Sequence, residues 1–121
     1  MKLKKVVEFE VDDKIVESII KLNNKGYETA MCCSGHPDEE EIIPYVMFTK
    51  FVSCRIEYIP FSWVVDKNYK ELVIRRFFTD EEKEIFTKEQ LVDIAARELD
   101  NWVDTLPIFK NPYQTMRTEV I

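Results

Sequence analysis

A chain of 121 residues falls in the commonest size range for one domain and nothing in its composition suggests two separate cores, so a single domain spanning 1–121 is expected. Apolar residues at 45% and charged residues at 33% exclude the disordered, collagen-like and disulfide-scaffold classes. The net charge of −6 is uneven: residues 38–41 carry −4, residues 80–104 carry −6 and the rest +4, which disfavours nonspecific binding to a polyanion and leaves room for a local basic face.

At the start, Met1 to Lys5 leads into acidic residues and not into an apolar signal core, and no apolar run approaches the roughly 20 residues of a membrane span. A cytoplasmic location without membrane contact is therefore expected. Three cysteines, two of them adjacent, make a poor disulfide framework and fit a reducing compartment.

Residues 7–11 alternate Val7, Phe9 and Val11 with Glu8 and Glu10, the period of a strand with one wet face. Asp12 or Asp13 is placed to cap a helix with an apolar stripe of Ile15, Val16, Ile19, Ile20 and Leu22, ending near Lys25, with Gly26 suited to the left-handed position after it. Residues 27–33 read as a strand that breaks at Ser34-Gly35 into a loop through His36, Pro37 and the acidic run.

Residues 42–49 are apolar on both alternating faces, Tyr45 and Met47 opposite Val46 and Phe48, as in a central strand with Pro44 near its start. Residues 51–60 fit neither period. Residues 61–66 and 71–78 read as antiparallel neighbours joined by the polar stretch 67–70. A short helical turn after Thr79 would use Ile85 and Phe86 as apolar contacts. A longer helix begins at Thr87, whose pairing with Gln90 makes a capping box. Its face is Leu91, Ala95, Leu99, Trp102, Val103 and Leu106, and Pro107 ends it, leaving 107–121 as a C-terminal tail. This order implies an α+β fold: a two-layer sandwich with an antiparallel or mixed sheet of about five strands and two main helices on one face.

The run Cys32-Cys33-Ser34-Gly35-His36 brings thiols, a hydroxyl, a permissive backbone and an imidazole into one loop. Successive strand residues face opposite sides, so one cysteine at most joins His36. Cys33 and His36 are the candidate catalytic pair, an imidazole that lowers a thiol pKa beside the thiolate that attacks. Ser34, Gly35 and His36 are candidate ligand contacts, the glycine allowing close backbone approach by an anion or nucleotide. Arg75 and Arg76 alternate across the last strand, so one of them can offer a planar fork to phosphate or carboxylate. Packing explains the same residues with no site at all: cysteines as small core side chains, His36 as a loop residue before Pro37, arginines covering apolar surface. No metal site is expected, because Cys32, Cys33, His36 and Cys54 lack zinc-ligand spacing and a short acidic run is ordinarily solvated.

The segment 22–29 (Leu-Asn-Asn-Lys-Gly-Tyr-Glu-Thr), followed by Cys32-Cys33-Ser34-Gly35-His36, resembles small uncharacterised proteins of bacterial and prophage genomes with a Lys-Gly-Tyr turn and a Cys-Ser-Gly-His loop. More distantly, Tyr27, Thr29, Cys33, Ser34 and Gly35 resemble the Ser-Cys-Ser-Gly-Arg segment of the wybutosine-synthesis tRNA methyltransferase family, with His36 in place of the arginine. That likeness spans about a third of the chain and implies that Cys33, Ser34, Gly35 and His36 line a site; the family's enzymes use S-adenosylmethionine. Two functional readings follow. One is a binding or enzyme-like domain with a site at the Cys33–His36 loop for a small molecule, a nucleotide or a nucleic-acid group. The other is a non-enzymatic interaction module of prophage type, in which a sheet edge, the tail or a homo-oligomer contact does the work.

Overall fold

The computed structural model describes residues 14–112. In chain order they form α1 (Val16–Asn24), β1 (Thr29–Cys33), β2 (Tyr45–Phe48), α2 (Lys50–Ser53), β3 (Val64–Val65), β4 (Val73–Arg75), α3 (Asp80–Ile85) and α4 (Lys88–Thr105). The fold is α+β, and its four strands pair antiparallel in the order β1-β2-β4-β3. The sequence pattern implies about five strands; the remaining one, at 7–11, lies outside the described residues, as do Asp12 and Asp13.

Helix α1 is preceded by Ile15, which makes no side-chain cap and is instead buried in the core. Burial of an apolar residue at that position outweighs a cap worth about 1 kcal/mol. From the expected stripe, Ile15, Ile19 and Leu22 are fully buried, whereas Val16 and Ile20 are half-buried at its margins. The helix stops at Gly26, whose φ of +98° is costly for a side chain, and a Cβ there would meet the Phe109 carbonyl. Residues 107–112, the first part of the expected tail, dock on this turn. The Phe109 N–H donates to Lys25 O at 2.6 Å, the Tyr27 hydroxyl to Pro107 O at 2.8 Å and Asn111 Nδ2 to Gly26 O at 3.0 Å.

The expected capping box of Thr87 with Gln90 starts α4, and a second one, Thr79 with Glu82, starts α3. Helix α4 buries Leu91, Val92, Ala95, Leu99, Trp102 and Val103. These join Ile19 and Leu22 of α1 and Cys32, Val46, Phe48 and Ile74 of the sheet in one cluster. Helix α3 departs from expectation, because Ile85 is 71% exposed and Phe86 is also at the surface. Six residues are too few to bury a stripe, and α3 is held by its cap and by Arg76 instead.

The segment without a clear period, 51–60, begins inside the short helix α2 and then runs irregularly. Ser53 explains its placement: Oγ donates to Thr49 O at 2.9 Å and accepts from the Leu72 N–H at 2.7 Å, tying α2 to β4. Further on, Trp102 Nε1 donates to Tyr58 O at 3.0 Å. The hairpin expected from 61–78 is present but shorter, with only Val64–Val65 paired to β4. Among the described residues, no helix is long and apolar enough to cross a membrane.

Candidate functional site

Antiparallel partners project to the same face, so register decides which groups meet. Cys32, Val46 and Ile74 are paired across three strands and all are buried in the core. The adjacent row, Cys33, Tyr45 and Arg75, lies on the other face. One residue of register therefore separates a packed thiol, Cys32, from a half-buried one, Cys33.

The strand ends in a tight loop. Gly35 adopts φ +85°, and a Cβ on it would lie 2.5 Å from Ile42 Cγ2, so the glycine is required by the turn and by packing. This bend returns the chain over Cys33. The Gly35 N–H donates to Cys33 Sγ at 3.4 Å, and His36 Nε2 lies 3.6 Å from the same sulfur. His36 Nε2 is also 3.9 Å from Glu39 Oε1, while the Glu39 N–H donates to His36 O at 3.0 Å and closes the turn. Ser34 is buried, and its hydroxyl donates to Gly35 O at 3.4 Å.

Cys33, Gly35 and His36 line a cleft of about 370 Å³ together with Glu39, Glu41, Ile43, Tyr45 and Arg75, and the largely buried Cys32 also borders it. That volume lies in the range of small-molecule sites. Arg75 Nε donates to Asp66 Oδ2 at 2.6 Å, and its guanidinium carbon sits 4.9 Å from the centre of the Tyr45 ring. The Arg75 hydrogen bond, followed by the Asn68 N–H, holds the Asp66 carboxyl below its ordinary pKa. Burial raises the Tyr45 phenol, and the neighbouring Cys33 thiol adds to the shift, so Tyr45 stays neutral and available as a hydrogen-bond donor.

Of the residues singled out in the sequence, Cys33, Gly35, His36 and Arg75 converge on this cleft, whereas Ser34 and Arg76 do not line it. Arg76 points to the opposite side and is only 4% exposed. It donates to Glu82 Oε2 at 2.7 Å and to Glu98 Oε1 at 2.8 Å, and it stacks on Phe78 at 4.6 Å. Burial opposes its charge, but the hydrogen bonds to Glu82 and Glu98 win and raise its pKa further. The same bond, with the Thr79 N–H, lowers Glu82 to about 2. Arg76 is therefore a structural lock between β4, α3 and α4. Cys54 is exposed at the end of α2, apart from the cleft. Among the described residues, no three His, Cys, Asp or Glu side chains are grouped to hold a metal ion.

Sequence reasoning missed Tyr45 and Asp66 as neighbours of the site. The alternation in 42–49 separates Tyr45 from Val46, but only the pairing of β1, β2 and β4 sets Tyr45 between Cys33 and Arg75. No family model, curated protein or solved structure matches this chain.

Proposed function

We propose that this protein is a small-molecule-binding, enzyme-like domain in which Cys33 is the nucleophile and His36 its base. The observation that carries this reading is convergence: a thiol from β1, an imidazole from the following loop, a phenol from β2 and a guanidinium from β4 meet at one cleft. Packing alone does not require groups so distant in sequence to gather there. With the proton of His36 on Nδ1, Nε2 accepts the S–H proton. The sulfur lone pair then forms a bond to an electrophilic carbon of the ligand, and the leaving group departs with its electron pair. A proton held on the imidazole and the Gly35 N–H both favour the thiolate.

A nucleotide-sized ligand fits the cleft better than a nucleic-acid strand, because Glu39 and Glu41 on its rim repel a polyanion. The loop resemblance to the tRNA methyltransferase family supports a site at the same residues, and a reducing cytoplasm suits a working thiol. The two-layer sandwich is supported by the single buried cluster shared by α1, α4 and one sheet face.

The test is alkylation of the full chain by iodoacetamide at neutral pH, read by peptide mass spectrometry. Cys54, which is exposed, is the internal reference. Cys33 is expected to react about tenfold faster although it is less accessible, and His36→Ala should remove that advantage. Cys33 reacting no faster than Cys54, or unaffected by His36→Ala, refutes the assignment.

A second reading, the interaction module, is favoured by one observation. Phe61 is 90% exposed beside the half-exposed Tyr58, on a shallow apolar surface that also includes Ile59 and Pro60. Light scattering after size-exclusion chromatography tests it: a concentration-dependent oligomer dispersed by Phe61→Ser supports this reading, and a strict monomer opposes it.

A further inference from the structure

We infer that Arg75 is the ligand-recognition group of the cleft and that the ligand carries a single oxyanion, a carboxylate or a phosphate, beside the carbon that Cys33 attacks. This rests on the cleft being a ligand site. Its own support is the contrast between neighbouring arginines. Arg76 spends both edges of its guanidinium on Glu82 and Glu98 and on the Phe77 carbonyl. Arg75, among the described residues, makes its hydrogen bond through Nε alone. Its terminal nitrogens, the pair with the geometry to grip two oxygens at once, are not used in that bond.

The side chain is also held in place. Asp66 fixes Nε and the Tyr45 ring supports the guanidinium from one face, so little rotamer freedom is lost when an anion binds. Asp66 does not satisfy the fork, since it engages one nitrogen from outside the cleft lining. Tyr45, kept neutral by burial, stands between the arginine and the thiol and can donate to the same anion.

The opposing charges set the ligand class. Glu39 lies next to His36 at 3.9 Å and so marks the imidazole end of the cleft as acidic, and Glu41, also on the lining, is paired with Lys83 at 3.6 Å. A ligand with one oxyanion at the Arg75 end and a neutral or cationic remainder fits this polarity. A polyphosphate or an oligonucleotide would place further negative charge against Glu39 and Glu41.

Two haloacetyl probes of nearly equal size test the point. Iodoacetate carries the carboxylate and iodoacetamide does not, and both transfer their carbon to sulfur with loss of iodide. The ratio of their rates at Cys33 is measured against the same ratio at Cys54, by peptide mass spectrometry on the full chain. A ratio at Cys33 at least tenfold higher than at Cys54 is expected, falling to the Cys54 value in Arg75→Gln and partly kept in Arg75→Lys, which retains charge without the fork. Equal ratios at the two cysteines, or a ratio indifferent to Arg75→Gln, overturn the inference. A Cys33 that is slow with iodoacetamide as well defeats the nucleophile and not the anion site. The anion site is then read by thermal shift with inorganic phosphate and with acetate. Stabilisation by phosphate alone or by acetate alone, lost in Arg75→Gln, supports the inference and tells which oxyanion is preferred; no stabilisation by either overturns it.

Discussion

Arg75 and Arg76 are neighbours in sequence with opposite fates. Arg76 enters the packed side of the sheet, loses nearly all contact with water and is matched by two carboxylates, a ring and a carbonyl. Arg75 projects to the side that carries Cys33 and Tyr45, keeps 21% of its side chain exposed and is matched by one carboxylate and the Tyr45 ring. An ionised group taken out of water must be fully partnered, whereas one at a cleft wall can be left partly unsatisfied for a ligand. On the proposed reading the two faces divide stability from chemistry, and the division can be broken experimentally.

The largest effect is expected at Arg76. Arg76→Met keeps most of the stem but leaves Glu82 and Glu98 facing each other without their cation, at a cost of about 3 kcal/mol. Arg75→Gln, which leaves a single carboxylate, Asp66, without its cation, should cost about 1 kcal/mol. Urea melts of the two variants decide the matter. Equal losses would mean that the open face is as structural as the packed one.

Gly35→Ala comes next and lies on the cleft side, where it complicates a clean division. The φ of +85° and the 2.5 Å approach to Ile42 Cγ2 together predict a loss of about 2 kcal/mol. Thermal melts showing no loss would mean that the loop has an alternative conformation, and the geometry around Cys33 would lose its support.

The packed face should also carry an acid dependence. Glu82 titrates at about 2 in the folded chain against an ordinary 4.5. A depressed carboxyl stabilises the fold above its unfolded pKa, and that contribution disappears as pH falls through the folded value, so the loss is spread between about pH 4.5 and pH 2. The shift corresponds to about 3 kcal/mol at most, reduced to about 1–2 kcal/mol because part of the carboxylate reaches solvent. Melts from pH 6 to pH 2 should show this limb in the parent and a flatter one in Glu82→Gln. Asp66, also depressed by its arginine, contributes in the same direction.

Much of this architecture was legible because it is local. Thr79 and Thr87 each have their partner three residues on, Gly26 stands where a helix must turn, and the polar stretch 67–70 separates two β-branched runs. The cleft was legible only in part. Cys33, Gly35 and His36 lie within one short loop, but Tyr45 and Asp66 join it through pairings between strands, which period-two alternation does not specify. Alternation did say that Arg75 and Arg76 part company; which one goes inward depends on where α3 and α4 place Glu82 and Glu98. Ile85 and Phe86 misled for the converse reason, since apolar character without a partner element leaves a side chain at the surface.

The smallest effect is expected beside one of the larger ones. His36 is next to Gly35, but its side chain is 46% exposed and lies by Cys33 Sγ and Glu39, both at the cleft. A weak contact to sulfur and a long approach to an exposed carboxylate contribute little to folding, so His36→Ala should move stability by no more than about 0.5 kcal/mol. The urea midpoint, with the slope held common, is the measurement. The comparison with Gly35→Ala gives it force, because the two substitutions alter adjacent residues of one loop. A penalty at position 36 equal to that at 35 would mean that the imidazole braces the turn, and its place beside the thiol would then be packing. A penalty at 35 alone assigns the glycine to the fold and shows that the imidazole adds little to folding, which is the condition the nucleophile assignment requires.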